Sequence, residues 1–467
     1  MRLPSFKGGI HPPHYKSETE HKAIVACPLP EKIVLPLSQH IGAPCKSLVE
    51  VGQHVKAGEK IAESDAFLSV PIHASVSGII DSIAPHPHFS GLEITCITIT
   101  PDRQQESIPF AGIDNPQREP IEKLKSIIKE AGIVGMGGAA FPTFVKLSPP
   151  RDRPIDSLII NACECESFLT CDYRLLVEKT DNFLKGVALV MKIVEAKTAY
   201  IAIESNKPEA ISAIRKRINA VNSHDSSYNN SYDNPYDDSH NNLHNILILE
   251  LETKYPQGCE KQLIHAVLNR VVPLRKLPSE VGVVVQNAGT VLAIYEAIRF
   301  GKPLIERRLT VTGPGIKNPQ NVLAKLGTPI KHLISFCGGW KDGPPGKIVI
   351  GGPMTGFAVD NLAVPIVKGT SGIVVFSRDM VPDPDKYWPC LRCGKCAEVC
   401  PMFLVPSLIG YYSEKKRYRA ADECGALDCM ECGSCAFVCP SRRPLIQFIR
   451  KTKAHLMSQK KKAMTRG

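Results

Sequence analysis

Two near-copies of one cysteine run constrain this chain more than any other feature. Cys390, Cys393, Cys396 and Cys400 are followed by Pro401, and Cys429, Cys432, Cys435 and Cys439 by Pro440. Each run reads C-x2-C-x2-C-x3-C-P. In such runs three closely spaced thiolates hold one 4Fe-4S cube and the fourth cysteine ligates the other. The spacing therefore predicts one cluster on Cys390, Cys393, Cys396 and Cys439, and a second on Cys400, Cys429, Cys432 and Cys435. Crossed ligation makes the two halves a single unit, expected over residues 381–448. Structural zinc usually separates two cysteine pairs by a dozen or more residues, whereas four thiols crowd here into eleven positions. Cys424, Cys429 and Cys432 also match the C-x4-C-x2-C start of plant-type sites, but the intact second run makes Cys424 a bystander. Between the runs, residues 402–419 mix Leu, Ile and Tyr with basic residues and predict a joining helix.

The full chain has 467 residues, room for about three domains. No stretch of about 20 apolar residues could span a bilayer, and residues 1–10 lack the apolar core of a secretory signal, so a cytoplasmic chain is expected. In that setting clustered thiols read as metal ligands or redox groups and not as disulfides. The net charge is +11, from 57 Lys and Arg against 46 Asp and Glu. Part of it lies in Lys415, Lys416, Arg417 and Arg419 and in the segment 449–467, expected to be a solvated, disordered tail. No nucleic-acid module accompanies the charge, and nucleic acid is not an expected partner.

Residues 30–115 run in short alternating apolar stretches punctuated by glycine, an all-β pattern. The strings VGQHVKAGEKIAES and PIHASVSGII resemble the barrel-sandwich hybrid domains of biotinyl and lipoyl carriers. The hairpin tip, Asp65, Ala66, Phe67 and Leu68, offers no acceptor lysine, so a structural or docking module is expected. Over 116–302 the spacing predicts a helix at Ile121–Glu130, then a glycine cluster in AGIVGMGGAAFPTFVK. Buried strands follow at 157–164, 198–205 and 245–252, with helices near 174–196 and 207–220. Strands alternating with helices predict a parallel, Rossmann-like α/β sheet, which binds ligands beyond the carboxyl ends of its strands. NACECE sits at such an end, and Cys163, Cys165 and Cys171 near it read as free thiols. Residues 221–244 are rich in Asn, Ser, Tyr and Asp and predict a mobile surface insertion. YPQGCEKQLI (255–264) is a second loop, and VVVQNAGTVLAIYEAI (283–298) reads as strand, loop and helix. Residues 303–380 predict a small β-grasp unit.

Together these strings resemble the RnfC family, the C component of the Rnf, or Rsx, ion-translocating electron transport complex. The resemblance rests on FKGGIHPP (6–13), GMGGAAFPT (135–143), NACECESFLTCDYRLL (161–176), KYPQGCEKQLI (254–264) and both cysteine runs, and covers nearly the whole chain. The α/β domain is also similar to the flavin-bearing, NADH-oxidising subunit of respiratory complex I. There a GRGGAGFPT loop and an NADESEP loop enclose FMN and the nicotinamide, and they correspond to residues 135–143 and 161–167. The resemblance implies an FMN and NAD(H) site framed by Gly135, Gly137, Gly138 and Phe141, with Lys146 meeting a phosphate. It implies Asn161 at the flavin edge, Glu164 and Glu166 at ribose hydroxyls, and Glu260, Asn287 and Thr290 in further loop positions. The residues single out no catalytic acid or base. Met136 stands where the relative has Arg, Cys163 where it has Asp and Ser167 where it has Pro.

The resemblance further implies a multidomain fold: barrel-sandwich hybrid, FMN/NADH-binding α/β domain, SLBB-like β-grasp unit and two-cluster ferredoxin-like domain, after an N-terminal segment 1–29. Electrons are expected to pass between NADH, FMN, the first cluster, the second cluster and a partner, coupled to sodium or proton movement. The partners implied are other Rnf subunits, membrane-embedded ones and an iron-sulfur ferredoxin-like one among them, with this subunit peripheral on the cytoplasmic face of the inner membrane. Three alternatives stand beside this reading. A cobalamin reductase carries its carrier-like domain at the other end. The related subunit of the sodium-pumping NADH-quinone reductase lacks iron-sulfur clusters. An electron-wire subunit would have kept the fold and lost nucleotide binding.

Overall fold

β-branched and proline-punctuated segments near the start of the chain favour short strands, and two small sheets result. A computed structural model describes residues 3–222, 245–383 and 386–464. In the first sheet Ile33–Pro36, Glu93–Pro101, Gly78–Pro87 and His54–Val55 are neighbours in that order; in the second, Lys46–Ser47, Lys60–Glu63 and Ile72–His73. Ile33, Ile61, Ile80, Ile97 and Ile99 are fully buried in a core shared with the α/β domain. The expected hairpin tip lies between Lys60–Glu63 and Ile72–His73, where exposed Phe67 meets Phe144 edge to face at 6.1 Å.

The α/β domain is built on four parallel strands in the order Ile246–Leu251, Thr198–Glu204, Ser157–Ala162, Val283–Asn287. Helices Cys171–Glu178, Thr180–Val194, Pro208–Asn222 and Ala288–Phe300 cover it. The strand order reverses direction between Ser157–Ala162 and Val283–Asn287, so the ligand crevice of such a sheet falls beyond their carboxyl ends. Val283–Asn287 passes straight into Ala288–Phe300 without the loop expected there, because Asn287 itself caps the helix by accepting from Thr290 N at 3.2 Å. The insertion expected at 221–244 lies, from residue 223 on, outside the described residues.

Residues 303–380 form most of a six-stranded mixed sheet, with helix Ile330–Phe336 against it. Its edge strand, Ile24–Ala26, comes from the N-terminal segment and pairs in parallel with Gln320–Lys325. In the cluster unit the two runs repeat their backbone turn by turn. Arg392 and Glu431 have φ of 54° and 59°, Gly394 and Gly433 of 81° and 83°, and short helices Lys395–Glu398 and Ser434–Phe437 follow. The expected joining helix is two, Pro406–Glu414 and Tyr418–Glu423, broken where Lys416 turns left-handed at φ 57°. The expected disordered tail is corrected: Leu445–Met464 is one helix, with Ile449 and Thr452 fully buried against the cluster unit. Apolar residues at Leu445, Ile446 and Ile449 supply the helical spacing that outweighs the charge. No helix among the described residues is long and apolar enough to cross a membrane.

Candidate functional site

Asn161 and Asn287 end the two strands at the reversal point and are register partners there. A loop folds over each of them. Over Asn287 lies the glycine loop: a Cβ on Gly137 would stand 3.6 Å from the Asn287 Cβ. The loop closes on itself, Gly135 N donating to Phe141 O at 2.8 Å, and Met136 N donates to Thr290 Oγ1 at 2.9 Å. Gly137 and Gly138 face outward; Gly138 has φ 105° and open space where a side chain would be, so bare backbone is presented there. Over Asn161 lies the 255–260 loop: Asn161 Nδ2 donates to Gly258 O at 2.7 Å, and Asn161 Oδ1 accepts from Cys163 N. A Cβ on Gly258 would come within 3.2 Å of Asn161 Oδ1, so the close approach needs glycine. The two loops are tied together where Lys146 Nζ pairs with Glu260 Oε1 at 2.5 Å.

Glu164 and Glu166 are placed differently from the ribose role that the resemblance implies. The Glu164 carboxylate accepts from Asp172 N and Tyr173 N at 2.8 and 3.1 Å, closing the start of helix Cys171–Glu178. Glu166 reaches the neighbouring sheet, accepting from Met354 N and from Thr355 N and Oγ1. Burial raises its pKa against the pull of these donors. Both carboxylates are thus engaged inside the chain.

Sequence reading missed what lies behind the glycine loop. Arg307, from strand Glu306–Thr312, is buried with its guanidinium packed on the Met136 thioether and its Nη2 3.4 Å from Met136 O. A guanidinium from the next domain therefore lies behind the glycine loop, against Met136. Asp172 accepts from Asn287 Nδ2 at 2.6 Å, and burial, then the Glu164 charge, push its pKa up to about 6. Asp172 sits inside a string already singled out, whereas Arg307 carries no local signal because only domain packing brings it there.

The cysteine sets separate in space. Cys390, Cys393, Cys396 and Cys439 line one small cavity, with Arg392 and Lys395, and Cys390 and Cys393 are exposed. Cys400, Cys432 and Cys435 are buried, and Cys435 lies within the electrostatic reach of Cys429, Cys432 and Cys400, with Cys396 of the first set at the boundary between the two. Burial pushes the Cys429 thiol up to about 11, so metal binding must displace a proton. Among the described residues no three His, Cys, Asp or Glu side chains close up as ligands of one metal ion would. A cube that takes each thiolate on a separate iron needs them farther apart, and this donor set fits it. This second set lies under the 255–260 loop: Tyr255 Oη donates to Cys432 O at 2.6 Å, and the Cys259 thiol meets Met430 Sδ at 3.8 Å. Gln257 in that loop is fully buried, and neither of its amide atoms has a hydrogen-bond partner. These unpartnered amide atoms and the open backbone at Gly138 are polar groups that a flavin mononucleotide could engage.

Family models match along the whole order of domains. They are the RnfC barrel sandwich hybrid domain at 4–104, the Nuo51 FMN-binding domain at 128–296, the SLBB domain at 308–358 and a 4Fe-4S dicluster domain at 379–440. The C component of the proton-translocating ferredoxin:NAD(+) oxidoreductase complex of Clostridium ljungdahlii is 44% identical over 97% of this chain and 94% of its own length. The chain belongs to the RnfC family. A second member, from the Na(+)-translocating ferredoxin:NAD(+) oxidoreductase complex of Acetobacterium woodii, is 39% identical over 98% of both chains. A third, from the ion-translocating oxidoreductase complex of Vibrio cholerae, is longer: it is 38% identical, and the match spans 91% of this chain but 52% of that one. Among solved structures, an NAD+-reducing NiFe hydrogenase in its H2-reduced state shares the fold, with TM-score 0.53, 18% identity, and coverage of 75% of this chain and 64% of that one. Family membership makes the chain one subunit of a multi-subunit ion-translocating oxidoreductase, with FMN and 4Fe-4S domains.

Proposed function

We propose that this chain carries electrons between NAD(H) and a redox partner within an Rnf complex that couples ferredoxin and NAD to ion movement. Bound FMN would take the electron pair of a hydride and release electrons singly, the form in which iron-sulfur clusters accept them. The observation that carries the reading is the 255–260 loop. It holds Asn161 in the flavin crevice on one side and the Cys432 backbone on the other. In this reading the backbone of Gly135, Gly137 and Gly138 and the side chains of Phe141, Asn161 and Lys146 receive flavin and dinucleotide. Glu260 orients Lys146; Asn287 and Thr290 hold the glycine loop; Glu164 and Glu166 hold the 161–169 segment in shape.

Cys400, Cys429, Cys432 and Cys435 hold the cluster nearer the flavin, and Cys390, Cys393, Cys396 and Cys439 the outer one. The sequence leaves open which set faces the flavin; the second run is assigned the inner place because Cys432 and Met430 meet Tyr255 and Cys259 of the 255–260 loop. Around the outer set the surface is apolar and basic, with Leu391 67% and Trp388 55% exposed beside Arg392 and Lys395. Such a face suits an acidic iron-sulfur partner protein, where charge complementarity chiefly speeds encounter. The subunit would sit peripherally on the cytoplasmic face of the inner membrane, meeting the bilayer only through membrane-embedded partners. The domain limits 30–115, 116–302, 303–380 and 381–448 are part of this proposal.

The test is the visible spectrum of the anaerobically reconstituted chain before and after NADH. Bleaching of both the flavin bands and the broad iron-sulfur band is expected. Iron-sulfur absorption that NADH leaves untouched would instead favour a wire fed by another protein of the complex.

A further inference from the structure

The FKGGIHPP string has no task in the site just described, yet in the fold it crosses the seam between the α/β domain and the cluster unit. On the α/β side Glu252 N donates to Pro4 O, Lys254 Nζ to Phe6 O, and Ile10 and Tyr255 exchange backbone bonds of 2.8 and 2.9 Å. On the cluster side Gly9 N donates to Val399 O at 2.9 Å. Both glycines are left-handed, with φ of 85° and 78°, a conformation costly for other residues. A Cβ on Gly8 would lie 3.1 Å from Cys400 O, and one on Gly9 2.7 Å from Tyr255 O. One glycine thus faces the cluster unit and the next faces the flavin domain, each against backbone that cannot swing away.

The same segment continues to the other side of the crevice. Ser167 Oγ donates to Pro13 O at 2.7 Å and Phe168 N to His14 O at 2.8 Å. The buried Lys16 Nζ donates to the carbonyls of Glu164, Glu166 and Leu169. One stretch of about a dozen residues therefore grips the NACECE segment at one end and, at the other, Val399 beside Cys400. Through Tyr255 it is also linked to Cys432 of the inner set.

We propose that residues 6–16 are a positioning strap that fixes the gap between the flavin crevice and the inner cluster site. The inference rests on the functional reading above. Oxidation of one NADH to NAD+ releases one proton and two electrons, one for each cluster site. Each electron must tunnel across the seam, and tunnelling falls steeply with distance. A strap bonded to both banks keeps that distance short where the domains would otherwise slide.

The test uses the full chain, reconstituted anaerobically, with Gly8→Ala and Gly9→Ala made separately. Iron and FMN content and the rate of flavin bleaching by NADH should match the parent, while iron-sulfur bleaching slows about tenfold or more. Hydrogen exchange should rise over 395–405 and 429–435 and stay unchanged over 135–146. Parent cluster rates together with parent exchange in both variants would overturn the strap. If neither glycine variant folds, Lys254→Met removes the Nζ bond to Phe6 O and should raise exchange over 6–10 and slow the cluster phase; parent exchange together with a parent cluster rate there overturns the proposal equally. Should NADH fail to bleach the parent flavin, the functional reading falls, and hydrogen exchange alone decides the strap.

Discussion

At the carboxyl end of its strand Asn287 accepts from Thr290 N, donates to Asp172 Oδ2 and packs its Cβ under Gly137. Thr290 in turn holds Met136 N, so the shape of the glycine loop depends on this one amide. Asn287→Ala removes a helix cap, costing about 1 kcal/mol, and leaves the buried Asp172 carboxyl without its donor. We expect a lower thermal midpoint and loss of FMN during gel filtration; a variant that retains both parent values would count against the loop's dependence on Asn287. Asn161, Lys146, Glu260, Asn287 and Thr290 could be proposed from the sequence because they lie in recognisable strings. Arg307 could not, since nothing local to RRLTVTGPG says that its guanidinium ends on Met136.

Among the elements, helix Leu445–Met464 departs furthest from expectation. Its apolar face docks on Pro406–Glu414, where Thr452 Oγ1 donates to Ser413 Oγ at 2.6 Å and Ile449 shares a core with Ile409, Ala421 and Ala426. Lys451 stays exposed, whereas Lys453 turns inward and donates to Cys429 O at 2.9 Å, so part of the charge that suggested a solvated tail is used to dock the helix. Ile449→Ala should destabilise the cluster unit by about 2–5 kcal/mol, read as a lower denaturant midpoint for loss of the iron-sulfur absorption. An unchanged midpoint would mean that the helix is a passenger.

At the scale of the whole molecule, three domains meet at Lys368. Its Nζ donates to Pro71 O of the barrel-sandwich hybrid and to Gly132 O of the α/β domain, at 2.7 and 2.8 Å, from a loop of the third sheet. Burial lowers its pKa to about 7. Between about pH 7 and the ordinary lysine value of 10.5 the unfolded chain carries a proton that the folded chain lacks, so stability rises with pH across that window. His73 and His40 beside it are lowered from 6.5, chiefly by burial, and titrate below the window. The thermal midpoint of the parent should therefore rise, relative to Lys368→Met, from about pH 7 to 9. A difference that stays constant over that range would show that Lys368 holds its proton in the fold.

The sequence by itself determined the domain order, the parallel sheet and the presence of a two-cluster iron-sulfur unit, because periodicity, strand-helix alternation and cysteine spacing are local and survive without coordinates. It also named the two asparagines at the crevice. Only the tertiary structure decided which cysteine run lies under the 255–260 loop, what Glu166 binds, why two glycines precede Ile10, and that Arg307 packs behind the glycine loop. Each of these depends on a contact between residues more than about a hundred positions apart or on a surface presented by another domain. Docking angles and buried hydrogen bonds set such contacts, and no local pattern along the chain encodes them.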